Sequence, residues 1–169
     1  MSTFHVVPGE SSVETEVRSS LHPIHGKAEE LSGAIDAEFD GDGGPRLDLP
    51  HAGWVELPVE AIRSGNRLND AEMRRRAEAG RYPTVRFEVK RVWAVDGTRR
   101  LRGAFDVTAH GRTHGFEEDF TATLDGGRLV LQGEHVFDMR DFGVDPPRIL
   151  TLKVEPQVRV RVRVVAEER

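Results

Sequence analysis

Seven histidines are the residues in this 169-residue chain best suited to hold a metal ion or relay a proton. Only two close pairs occur, His22-Pro23-Ile24-His25 and His110-x-x-x-His114. On one continuous strand a spacing of four residues separates side chains by about 13 Å, too far to share an ion unless Gly111 folds the chain back. A metal-dependent enzyme acting on a small amphiphile through His110, His114 or His135 is therefore one reading, and it predicts metal in the purified protein. The sequence holds no helical His-Glu-x-x-His, no Gly-x-Ser-x-Gly elbow and no phosphate-binding Gly-x-x-x-x-Gly-Lys. With no cysteine, thiolate chemistry and disulfides are excluded. Aspartate and glutamate are abundant, but charged residues are mostly solvated surface, and pairing carboxylates for catalysis needs spatial information.

Composition narrows the field. The net charge of −5 gives no general attraction to a phosphate backbone, so nucleic acid is not an expected partner. No stretch approaches the roughly 18 consecutive apolar residues of a membrane span. The opening Met-Ser-Thr-Phe-His-Val-Val-Pro lacks the basic start and apolar run of a secretory signal, and the expected location is cytoplasmic. The length suits one domain over residues 1–169 with an ordinary core.

The elements that would position any site are mostly strands. Val158, Val160, Val162 and Val164 alternate with Arg159, Arg161 and Arg163, the signature of a strand with one buried face. The same period of two recurs in Val85, Phe87, Val89 and Trp93, in Leu101, Phe105 and Val107, in Phe116, Phe120, Ala122 and Leu124, and in Leu129, Leu131 and Phe137. Asp96-Gly97 and Asp125-Gly126-Gly127 fall between these runs and supply the positive φ of tight hairpins. Earlier runs are Val13 to Leu21, Leu31 to Phe39 and Trp54 to Val59, which makes about eight strands. The convincing helical stretch is short, from about Asn69 to Ala79, with Asn69-Asp70 as the cap and Gly80 beyond its end. Eight alternating strands with one helix to cover them bury their apolar face by closing into a barrel; a two-sheet sandwich satisfies the same pattern.

An ordered set of motifs goes further. Ser64-Gly65-Asn66, Asn69-Asp70, Met73 and Arg81-Tyr82-Pro83-Thr84-Val85-Arg86-Phe87 resemble the central signature of the YceI-like family. Leu101 to Val107 leading into Gly111-Arg112-Thr113-His114-Gly115-Phe116 resembles its paired strand and turn, and Arg140-Asp141-Phe142-Gly143-Val144 its late element. Where members often carry Arg-Asp and then His-Leu in the helical insertion, this chain reads Asn69-Asp70-Ala71-Glu72-Met73. The resemblance implies an all-β fold, an eight-stranded antiparallel lipocalin-like barrel with a short helical insertion. It also implies a polyisoprenoid or other long-chain lipid as partner, held inside, and a homodimer.

On that reading the protein is a binder rather than an enzyme, with no cofactor. The expected ligand wall is Phe87, Val89, Phe105, Val107, Phe116, Phe120, Leu131 and Phe137. Gly33, Gly103 and Gly133 stand in register on apolar faces; each marks a strand corner or clears space for a ligand, and together they favour a cavity. An acidic headgroup would want a cation. Arg63, Arg74, Arg75, Arg76 and Arg81 cluster around the helix, with Arg81 the expected headgroup residue and Arg74 to Arg76 a solvated helix face. Arg140 is expected in a structural ion pair. A third reading, a filled structural barrel, predicts neither ligand nor metal.

Overall fold

The computed structural model describes residues 1–95, 100–149 and 152–169. The eight strands of the closed ring are β1 (Ser2–Val6), β4 (Ser32–Ala37), β5 (Ala52–Pro58), β6 (Thr84–Ala94), β7 (Leu101–Ala109), β8 (Arg112–Asp125), β9 (Arg128–Asp138) and β11 (Leu152–Glu168). Each pairs antiparallel with the next, and β1 bonds to both β4 and the end of β11, which closes the ring. Closure leaves the ring no open edge and decides for the barrel over the sandwich. Two further strands, β2 (Ser12–Ser19) and β3 (Pro23–Ala28), extend from the first half of β11, and a short β10 (Arg148–Ile149) pairs with its start.

The long C-terminal strand makes this arrangement possible. With 17 residues, β11 pairs β9 along one side, while its other side is shared between β2 and β1. Pro156 lies where the pairing with β2 shifts register between Val154 and Val158, a place where a missing N–H does least harm. Val160, Val162 and Val164 point inward, and Arg159 and Arg161 bind Glu134 on the outside. Near the end of the strand Val165 is also fully buried. There the Ser11 hydroxyl donates to the Val165 carbonyl at 3.1 Å and accepts from the Val165 amide at 2.9 Å.

Several sequence expectations need correction. The strand run from Val13 is β2, outside the closed ring; the ring uses β1 in its place, whose apolar face amounts to Phe4 and Val6. Trp93 does not share a face with Val85, Phe87 and Val89. The pairing with β7 slips at Lys90, so Val92 comes opposite Gly103, while Trp93 comes opposite Arg102 and stacks on Arg91. The helix α1 is Arg67–Arg76, about three residues earlier than expected, because the Asn66 side chain accepts from the amides of Leu68 and Asn69 at 3.0 and 3.1 Å. Asn69 is buried instead. The left-handed residue after the helix is Glu78, not Gly80.

Of the expected hairpins, Asp125 pairs Arg128 across Gly126 and Gly127, both at positive φ. Asp96-Gly97 lies outside the described residues. An equally tight hairpin forms at His110-Gly111, both at positive φ, between the paired residues Ala109 and Arg112.

Candidate ligand-binding site

The inward faces of the ring enclose two chambers. The first, of about 240 Å³, lies where β2 and β3 widen the barrel beneath α1. Its wall includes Val13 and Val17 of β2, Ile24 and Gly26 of β3, Met73 and Ala77 of α1, and Met139, Phe142 and Val144 from the segment after β9. The second, of about 140 Å³, lies within the ring proper, against Ile35, Val55, Phe105, Phe116, Phe120 and Leu131. Both are lined almost wholly by apolar atoms. Phe87, Phe137 and Val160 line both chambers and so stand between them. Either alone is smaller than the roughly 300–1,000 Å³ of a small-molecule pocket; joined, they reach the lower end of that range.

The structure brings most of the expected wall together. Val89, Phe105, Phe116, Phe120 and Leu131 border the second chamber, Val107 the first, and Phe87 and Phe137 both. The aromatic rings pack on one another. Phe105 stacks on Phe116 at 5.4 Å between centroids, and Phe116 meets Phe137 edge-on at 4.9 Å. The in-register glycines serve this packing rather than open space. A Cβ on Gly103 would lie 2.5 Å from the Phe105 ring, one on Gly133 3.3 Å from the Cβ of Phe120, and one on Gly33 2.2 Å from the Trp54 carbonyl oxygen.

Arg81 is not part of either lining. It is exposed, with its guanidinium 5.1 Å from the centre of the neighbouring Tyr82 ring. Within the basic run, Arg75 and Arg76 are held by Glu72, whereas Arg74 turns inward and borders the first chamber. Met73 and Ala77, four residues apart, mark the helix face beside it, and that spacing was the signal in the sequence. Arg140 is ion-paired as expected, with Asp138.

The histidines are dispersed. His22 and His25 are exposed at the start of β3. His110 borders the first chamber, with Nδ1 2.8 Å from the Phe142 carbonyl oxygen and Nε2 2.5 Å from Glu78 Oε2. Glu78 and His110 are also the two non-glycine residues with left-handed backbone among those described, so this contact ties the end of α1 to the β7–β8 turn. The His114 ring lies edge-on to Phe142. His135 faces the second chamber and donates from Nδ1 to the Glu118 carboxylate at 2.8 Å, its ring stacked on Phe116. Glu118 went unremarked in the sequence, although it sits in phase between Phe116 and Phe120. Among the described residues no group of three or more His, Asp or Glu is placed to hold a metal ion.

The floor of the first chamber has a pH-dependent anchor. Asp138 accepts from the Arg140 side chain and backbone amide, which holds its carboxyl at about 2 and fixes the turn that delivers Met139 and Phe142. A carboxyl lowered in the folded state stabilises fully above its unfolded value near 4, and that contribution is lost as the pH falls through about 2. Asp138→Asn is therefore expected to lower the urea midpoint at pH 6. The gap to the wild type should close between about pH 4 and pH 2; a gap that stays constant with pH would contradict this.

A closed antiparallel barrel with a divided apolar interior and a short helix over one end defines a small barrel of the lipocalin-like kind. The chain belongs to the YceI-like family, whose domain model matches residues 4–166. Its fold is similar to that of BcnA from Burkholderia cenocepacia, at TM-score 0.78 and 16% identity over 95% of this chain and 98% of that one. It also resembles a polyisoprenoid binding domain from Saccharophagus degradans implicated in plant cell wall breakdown, at 0.79 and 13% over the whole of both chains. The Campylobacter jejuni YCEI protein matches at 0.66 and 15%, over 85% of this chain and 84% of that one. No curated protein gives a significant match. Among the described residues no helix is long and apolar enough to cross a membrane.

Proposed function

We propose that this protein binds one long apolar molecule, a polyisoprenoid or related lipid, inside the barrel and sequesters or carries it without chemical change. The observation that carries this reading is the pair of adjoining apolar chambers that share Phe87, Phe137 and Val160 in their walls. Side chains of this kind change rotamer far more easily than a strand moves. An occupant that turns them aside gains a continuous apolar tunnel, worth about 25 cal/mol for each Å² of apolar surface removed from water.

Phe87, Val89, Phe105, Val107, Phe116, Phe120, Leu131 and Phe137 are then the ligand wall, and Arg81 stands outside it. Family membership and the likeness to a polyisoprenoid binding domain support the reading.

Native mass spectrometry of freshly purified protein, followed by organic extraction, tests it. One long-chain lipid per barrel is the expected result. A clean mass that also resists added prenyl alcohols would overturn the proposal and leave a filled, structural barrel.

A further inference from the structure

Resting on that reading, we infer that Arg74 is the headgroup residue of the cavity, and that the ligand carries a single anionic oxygen group, a carboxylate or a phosphate monoester, seated in the first chamber. Arg74 Nε is buried with no hydrogen-bond acceptor among the described residues. The guanidinium makes one weak contact, from Nη2 to the Glu60 carbonyl oxygen at 3.3 Å, and enters no ion pair among the described residues. Its neighbours in the run, Arg75 and Arg76, both bind Glu72. A buried guanidinium N–H without an acceptor is costly, and an anionic oxygen in the adjoining space is the group that removes the cost.

The other groups at that end are compatible. Asp70 also borders the chamber, but its Oδ1 already accepts from the Ser64 amide at 2.9 Å and the Ser64 hydroxyl at 2.6 Å. His110 is engaged by Phe142 and Glu78. One arginine suits one small anionic group, a carboxylate or a phosphate monoester, better than a diphosphate.

The second chamber points the same way by exclusion. Of the acidic residues in its strands, Glu118 reaches the inner face, and among the described residues neither lysine nor arginine is in its lining. Glu88, Asp119 and Glu134 are ion-paired with arginines, while Glu118 reaches inward to His135. That end offers an anionic group no arginine or lysine partner among the described residues. The ligand therefore lies head under α1 and tail past Phe87 and Phe137 into the ring.

Titration calorimetry with farnesol, farnesoic acid and farnesyl monophosphate, on the wild type and on Arg74→Gln and Arg74→Lys, tests this. In the wild type an acidic ligand is expected to bind at least about tenfold tighter than farnesol, the scale of one charge-assisted contact. Arg74→Gln should remove the preference of the acidic ligands over farnesol, both measured on that same variant, and Arg74→Lys should keep part of it. Whichever of the acid and the phosphate shows the larger preference identifies the headgroup. Equal binding of all three by the wild type, or a preference that survives Arg74→Gln, would overturn the headgroup assignment and leave lipid binding standing. Failure of all three to bind would overturn both.

Discussion

Replacing Phe137 by alanine is expected to fuse the two chambers, lengthen the lipid that co-purifies, and lower the thermal midpoint by roughly 6–20 °C. The ring is buried and borders both chambers. It meets Phe116 at 4.9 Å and His135 at 4.7 Å, so little around it can move in to refill the space. Removing a buried phenyl ring costs about 3–5 kcal/mol, and in a chain of this length each kcal/mol lowers the midpoint by about 2–4 °C. A ligand that bridges the enlarged space would return part of that loss, because binding to the folded state alone adds stability. Stripped Phe137→Ala should therefore gain more from an added long prenyl chain than the stripped wild type does. Phe87→Ala should join the chambers with a smaller loss of stability, since Phe87 is only partly buried. Differential scanning calorimetry with mass analysis of the extracted lipid checks both. Midpoints and lipid lengths equal to those of the wild type would mean that the aromatic partition plays no part in holding the ligand.

The parts of the barrel that were plain in the sequence are those whose inward positions carry large apolar residues and whose outward positions carry charges. β11 is the extreme case, with its valines inside and its arginines bound to glutamates outside. β3 was invisible because its inward face is Ile24, Gly26 and Ala28, and because a proline opens it. A Cβ on Gly26 would lie 2.5 Å from Thr15 Oγ1 and 3.2 Å from Ile62 Cγ2, so a larger residue there would displace those side chains. Small residues in close quarters leave no hydrophobic pattern to read, and this strand forms part of the wall of the first chamber. Trp93 was read on the wrong face for a different cause, since one inserted residue at Lys90 reverses the alternation and no side chain announces it. The cation that borders the first chamber was the least legible part. Arg74 and Arg81 look alike in the sequence, and what separates them is that Arg74 lies within the helix, next to Met73 at the wall of the first chamber, whereas Arg81 lies beyond the helix end at Arg76.

A second large effect is expected at β1, which like β3 the sequence patterning missed. Phe4→Asp should abolish the native fold, giving protein that is aggregated or lacks dispersed amide signals, whereas His5→Asn should fold normally. Phe4 is 2% exposed and packs edge-on against Phe39 at 5.8 Å, within the core cluster that includes Val6, Leu31 and Ile35. An ionised carboxylate there has no partner, so burying it costs several kcal/mol on top of the lost ring, a sum comparable to the whole stability of a domain. The damage is not local. β1 is bonded to β4 on one side and to β11 on the other, so losing it exposes two strand edges at once and turns the ring into an open sheet. His5 is bonded through the same backbone ladder, but its side chain points to the opposite face of the strand from Phe4 and is only partly buried. Asparagine at that position should leave the closure intact. Size-exclusion chromatography and a two-dimensional amide spectrum of both variants decide the matter. A folded, monodisperse Phe4→Asp protein would mean that the barrel stands without its first strand and that β2, not β1, completes the wall.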